Sequence, residues 1–180
     1  MNDDMPTLVV PVNTQDHIQG LESAPVTLVE YGDYECPNCA AAYPIIKAVQ
    51  KKLGPKLRFV FRNFPLSNMH PFAELAAEAA EAAGAQGRFW EMHDAIYENQ
   101  ESLGEEMIEE LAQKLKLDIN RFNSDIKNRK FKEHVKKDFL GGAKSGVNGT
   151  PSLFINGERF DESLDEKTLI TVISEQKIKQ

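Results

Sequence analysis

The chain has 180 residues, of which 41% are hydrophobic and 27% charged, with a formal net charge of -7. Such ordinary composition excludes a wholly disordered or coiled-coil chain, and the length suits one domain with a substantial core. The negative balance disfavours nucleic acid and anionic lipid as partners, and no apolar run approaches the ~20 residues that span a bilayer.

Met1-Asn2-Asp3-Asp4-Met5-Pro6 has neither the basic nor the apolar region of a secretory leader. The expected location is the cytosol, with a periplasmic or other extracytoplasmic one as the alternative if a leader was removed. Thr7 to Val12 reads as a short edge strand bracketed by Pro6 and Pro11. Val26 to Tyr31, rich in β-branched and aromatic residues, reads as a stronger one. Cys36 opens a helix with Pro37 at its first position, where a missing N–H costs nothing. Cys39, Tyr43, Ile46, Val49 and Leu53 keep the helical period up to Gly54-Pro55. Pro44, inside this helix, removes one backbone bond and is read as a structural bend. Leu57 to Arg62 is a further strand, so a right-handed βαβ unit with parallel strands is expected.

From His70 to about Gly146 the signals are helical. Expected helices cover Phe72 to Ala83 with Gly84 as cap, Arg88 to Gln100, Glu105 to Lys116, a short one capped by Asp118 or Asn120, and Arg129 to Ser145. The basic stretch Lys127, Arg129, Lys130, Lys132, Lys136 and Lys137 is read as a solvated helix face. Ser152 to Ile155, Asn156-Gly157 and Glu158 to Phe160 form a hairpin signal, and Leu164 to Glu175 a closing amphipathic helix. The plan is an α/β fold, a mixed central sheet flanked by helices. Residues 1–66 and 147–180 build that domain, and 67–146 form an inserted all-helical block.

Cys36-Pro37-Asn38-Cys39 carries the chemistry, and these are the only two cysteines. Three residues apart at a helix start, they lie on one face, close enough to form a disulfide. Cys36 meets the free N–H groups and the positive end of the helix dipole, which favour its thiolate. Cys39, one turn deeper, is the expected resolving thiol. A zinc site would need two further ligands, and His17, His70, His93 and His134 show no tight pair spacing, so no metal is expected. Inert core cysteines are the other bland alternative, which the strand-to-helix setting disfavours.

Val29-Glu30-Tyr31-Gly32-Asp33-Tyr34-Glu35-Cys36-Pro37-Asn38-Cys39 resembles the active-site strand and helix of the DsbA-like branch of thioredoxin-fold proteins. Gly149-Thr150-Pro151-Ser152-Leu153-Phe154-Ile155-Asn156-Gly157 resembles that family's cis-proline loop and hairpin. His70-Pro71 and Arg88-Phe89-Trp90-Glu91-Met92-His93 resemble parts of its helical insertion. The resemblance implies a thioredoxin-like fold and a thiol–disulfide oxidoreductase with Cys36 and Cys39 catalytic. It implies a cis Thr150–Pro151 bond beside the cysteines, with Thr150 offering backbone bonds to an extended substrate. Pro37 and Asn38 complete the expected substrate contacts. Glu30 shares strand parity with Val26 and Leu28, so it should be buried, and it matches the family's proton-handling glutamate under the cysteine pair. Tyr34 and Asn38 flank Cys36 closely enough to touch substrate, whereas Phe72, Trp90 and Tyr97 are read as core and His70 and His93 as satisfied polar residues.

Protein thiols and disulfides are the implied substrates, with a redox partner of thioredoxin or glutathione type, no cofactor and a monomeric chain. Competing readings are a glutathione-linked small-thiol oxidoreductase and a thioredoxin-like chaperone or binding module without turnover. Strong oxidants of the family carry histidine where Asn38 stands, and valine where Thr150 stands. The missing cation, with Asp33 and Glu35 nearby, implies a less oxidising protein: a reductase or isomerase of intermediate potential.

Overall fold

In a computed structural model the described residues are 5–176; the extreme N-terminus read above for a leader, residues 1–4, lies outside them. A five-stranded mixed sheet has the order β1-β3-β2-β4-β5. Its strands are β1 (His17–Gln19), β2 (Val26–Gly32), β3 (Leu57–Asn63), β4 (Ser152–Ile155) and β5 (Glu158–Phe160). Strands β2 and β3 run parallel, joined by helix α1 (Pro37–Leu53); the other pairs are antiparallel. This is the expected βαβ unit. The Asn156-Gly157 turn closes the β4–β5 hairpin with φ of 47° and 85°, the left-handed pair that such a tight turn requires.

Between β3 and β4 run α2 (Ala73–Gly84), α3 (Phe89–Glu98), α4 (Glu105–Lys114), α5 (Ile119–Lys127) and α6 (Lys132–Lys144); α7 (Glu166–Glu175) follows β5. Asp118 caps α5 by accepting the Arg121 N–H, as its position predicts. Helix α1 continues through Pro44.

Strand parity divides the core. Val26 and Leu28 of β2 face a large cluster with α1, α7 and the alanine-rich face of α2. Val29 and Tyr31 face the other way, onto Val60, Phe64, Val147 and Phe154, under Leu8, Val12 and Phe139.

The N-terminal expectation needs correction. Thr7 makes only an isolated bridge, to Glu158, and the first regular strand is His17–Gln19. Prolines at 6 and 11 remove two donors, so a continuous ladder cannot form there. The segment is instead held piecewise. Leu8 N–H donates to Gly157 O at 2.8 Å, Val9 N–H to Ser145 Oγ at 2.9 Å, and Arg62 donates to the carbonyls of Val10 and Pro11.

Candidate functional site

The β2 strand ends at Gly32, and residues 33–36 turn the chain into α1. Asp33 fixes that turn. Its carbonyl accepts the Cys36 N–H at 3.1 Å, and its carboxylate accepts the N–H groups of Glu35 and Leu66, both at 2.8 Å. Gln100, just past α3, clamps the turn from outside by donating to the carbonyls of Tyr34 and Cys36, both at 2.9 Å. Cys36 is thereby delivered as the residue before α1, with extended backbone and free N–H groups ahead of it.

Both cysteines are free thiols and both are buried, Cys36 at 6% exposure and Cys39 at 0%. Their environments push them apart. A hydrogen bond from Cys39 leads the stabilisation of the Cys36 thiolate, joined by Thr150 and the N–H groups of Cys39 and Asn38, against the cost of burial. The Cys36 pKa falls to about 5. Burial, the hydrogen bond to Cys36 and the charge of Glu30 drive Cys39 far upward. One thiolate at neutral pH beside one retained thiol is the pairing that disulfide exchange uses.

The Thr150–Pro151 bond is cis, and the Cys36 thiol donates to the Thr150 carbonyl oxygen at 3.5 Å. The Thr150 hydroxyl is buried with no hydrogen-bond partner among the described residues in the thiol state, which leaves it free to donate to a Cys36 thiolate. Asn38, Thr150 and Pro151 line one open cleft of about 420 Å³, whose apolar wall includes Ile45, Leu153, Phe160 and Leu164. Pro37 is exposed at the start of α1 and lies outside that lining.

Glu30 is 2% exposed, between Phe61 of β3 and Leu153 of β4, and its Oε1 has no hydrogen-bond partner among the described residues. Burial first, and then the negative charge of Cys36, raise its pKa to about 8. At neutral pH it is mostly a buried acid able to give or take one proton near Cys39.

Several expectations about neighbours change. Tyr34 is 1% exposed and lies under the turn, its hydroxyl 2.9 Å from His93 Nδ1, so it cannot touch substrate. Trp90 and Tyr97 pack into the core, but Phe72 is 36% exposed. Asp33 and Glu35, near Cys36 as expected, are both hydrogen-bonded. The Asp33 carboxylate binds backbone donors and His70, and Glu35 accepts the Phe72 N–H at 2.7 Å. His70, set aside from sequence, lies 2.7 Å from Asp33 Oδ2. Burial opposes its charge, but the Asp33 bond and the Asp33 and Cys36 charges prevail and raise its pKa. The sequence signal for His70 was the His70-Pro71 pair; Gln100 had none.

A family model described as Thioredoxin matches residues 12–175. Among curated relatives, Na(+)/H(+) antiporter NhaA 1 of Salinispora arenicola is 41% identical over 168 residues, covering 93% of this chain and 26% of that protein. The chain thus spans about a quarter of the length of the curated relatives it matches. Among solved structures, oxidised BdbD of Bacillus subtilis superposes with a TM-score of 0.81 at 24% identity, over 96% of this chain and 95% of that one. Alpha-DsbA1 of Wolbachia pipientis gives 0.82 at 21% identity, over 96% and 95%. These likenesses establish the fold.

Proposed function

The chain belongs to the thioredoxin family, and we propose that it is a thiol–disulfide oxidoreductase that exchanges its Cys36–Cys39 pair with protein substrates. The observation that carries this reading is the split of the two thiols, Cys36 lowered to about 5 and Cys39 raised, in a C-x-x-C at a strand-to-helix turn.

In the reducing direction the Cys36 thiolate attacks one sulfur of a substrate disulfide. A mixed disulfide forms and the other substrate sulfur leaves as a thiolate, to be protonated. Cys39 then loses its proton, attacks the Cys36 sulfur and releases the second substrate sulfur. Two electrons have passed to the substrate and the Cys36–Cys39 disulfide has formed. The reverse sequence oxidises a substrate dithiol. Glu30 is proposed to take the Cys39 proton and to return it when Cys39 leaves. An extended substrate segment is proposed to lie along the cleft edged by Asn38, Thr150 and Pro151, pairing with the backbone of Thr150.

The direction is proposed to be that of a reductase or isomerase of intermediate potential. A first-cysteine pKa of about 5 falls between ~7 for thioredoxin and ~3.5 for DsbA. Those proteins sit at about -270 and about -120 mV, and the potential rises as the thiolate is stabilised. In the cytosol a pair between these limits is held reduced, and in a compartment poised near about -200 mV it can run both ways. The antiporter activity in the relatives' names is not carried over: among the described residues no helix is long and apolar enough to cross a membrane.

Equilibration with glutathione buffers, followed by mass mapping of the cysteines, gives the potential. Insulin reduction, with Cys36→Ser as control, gives the activity. A potential near that of DsbA refutes the direction. Turnover of glutathione mixed disulfides without insulin reduction refutes the protein substrate, and no turnover of either refutes the enzyme.

A further inference from the structure

On elements that do not carry the cysteines, the fold assembles a second cluster of ligand-type side chains. His17 comes from β1, Glu81 from α2, and His134 and Asp138 from successive turns of α6. One ligand atom each from His17, Glu81 and His134 lie within 4.8 Å of one another. His17 Nε2 is 2.8 Å from Glu81 Oε2, and His134 Nε2 is 3.4 Å from Glu81 Oε1 and 3.6 Å from Asp138 Oδ2. We propose that His17, Glu81 and His134, with Asp138 as the fourth donor, bind a divalent cation of the zinc type.

The spacing fits. Donors about 2.1 Å from a tetrahedral ion stand about 3.4 Å from one another, which small rotations would reach for His17, Glu81 and His134; Asp138 lies beside this trio, 3.6 Å from His134 Nε2, and must swing further in to complete the set. The donor types fit as well. Two imidazoles with two carboxylates suit zinc and its transition-metal neighbours, whereas calcium wants six to eight oxygens. Charge also balances: two neutral imidazoles and two carboxylates offset a 2+ ion, and the protons the imidazoles hold toward the carboxylates leave on binding.

The surroundings are built as a supporting shell. Asn63 is 1% exposed; its Nδ2 donates to Glu81 Oε1 at 2.8 Å and to Asp138 Oδ2 at 3.0 Å, and its backbone N–H also reaches Asp138 Oδ2 at 3.0 Å. Such contacts orient ligands. Asn63 Oδ1 is itself buried with no partner among the described residues, so the amide is held in place by its bonds to these two carboxylates. The His17 ring stacks on Phe89 at 3.5 Å and 3°. A Cβ at Gly84 would come within 3.3 Å of the ring, so the glycine leaves the imidazole its place. Arg62, which lines the small cleft shared with His134 and Asp138, is already paired through two 2.8 Å bonds to Asp16. A small cleft of about 50 Å³ reaches His134 and Asp138 from outside. The ion would tie the edge strand to α2 and α6, three elements that the sequence separates.

The test uses the full chain with Cys36→Ser and Cys39→Ser, since thiolates bind zinc themselves. Calorimetry with zinc chloride should show one equivalent bound, and cobalt(II) should give the intense visible absorption of tetrahedral coordination. His17→Gln and His134→Gln should each weaken binding by more than about 100-fold, because supporting contacts alone are worth 10- to 100-fold. Asp138→Asn should weaken it less. Thermal unfolding without metal checks that the variants fold. No binding by the folded parent, binding unchanged in both histidine variants, or preference for calcium would overturn the proposal.

Discussion

His70 Nδ1 stands 2.7 Å from Asp33 Oδ2, and the Asp33 carbonyl accepts the N–H of Cys36. One buried aspartate therefore holds the turn that presents the thiol and a histidine whose pKa that aspartate raises. An imidazole whose charged form is favoured thus enters the site from the loop after β3, where the motif itself offers Asn38. Replacing His70 with Gln keeps a donor toward Asp33 and removes the group that can carry charge. The Cys36 pKa should rise by up to roughly one unit, since a nearby opposite charge is worth that much or more. The potential should fall with it. Thiolate absorbance against pH measures the first. An unchanged Cys36 pKa would mean that Asp33 alone consumes the imidazolium charge.

The depressed Cys36 pKa also makes a stability prediction. A thiol whose folded pKa, about 5, lies below its unfolded value of 9.0 adds stability that is full above 9 and lost as pH falls through 5. At pH 7 the remaining two units are worth about 3 kcal/mol. The oxidised form has no thiolate to gain this, while most of the cost of burying Glu30 is common to both forms. Reduced minus oxidised stability, from parallel denaturant titrations, should therefore shrink steadily from pH 8.5 to pH 5. A difference independent of pH would contradict a stabilised Cys36 thiolate.

Gly142 offers a prediction about packing alone. A Cβ there would lie 2.8 Å from Phe64 Cδ2 and 2.9 Å from Tyr31 Cδ1 and Cε1, on two buried rings that stack edge to face. Both rings are hemmed in: Phe64 also stacks on Phe139 at 4.3 Å, and Tyr31 packs edge-on against Phe154 with its hydroxyl accepting from Arg62 at 2.9 Å. Gly142→Ala should cost about 1–3 kcal/mol, lowering Tm by roughly 3–10 °C. The Cys36 pKa should not move. A neutral substitution would show that α6 can slide outward at little cost.

Much of the fold was readable because its signals are local. The C-x-x-C at a strand end, the Asn156-Gly157 turn, the parity of Glu30 with Leu28 and the Asp118 cap each act within a few residues. The edge strand was misplaced for an equally local reason. The β-branched run around Val9 and Val10 looked like a strand, but its donors go to a side chain and a turn, whereas His17–Gln19 gains a partner only from β3. What sequence missed at the site is nonlocal. His70 and Gln100 meet their partners across 37 and 64 residues, and Glu81 of the His17–Glu81–His134 cluster meets its two histidines across 64 and 53. Histidine spacing along the chain therefore says nothing about which histidines meet. The partners of Asp33 and Glu35 are nonlocal as well, lying on the segment around His70 and Phe72.

Glu30 separates structure from chemistry most sharply. Its pKa rises from 4.5 to about 8, chiefly by burial. The folded state then holds a proton that the unfolded state has lost, so folding stability declines as pH climbs from 4.5 to 8. Glu30→Gln removes that penalty. The variant should match the parent near pH 4.5 and exceed it by a growing margin toward pH 8. Its chemistry should move the opposite way. With no group to accept the Cys39 proton, resolution of the mixed disulfide should slow by about 100-fold at neutral pH, while the first attack by Cys36 stays near its original rate. Stopped-flow measurement of both steps reads this split, and the pH profile of the slow step should lose its limb near 8. A protein that is more stable, attacks normally and resolves slowly is the expected phenotype. Equal loss of both steps would reduce Glu30 to a structural role, and normal resolution would remove it from the reaction.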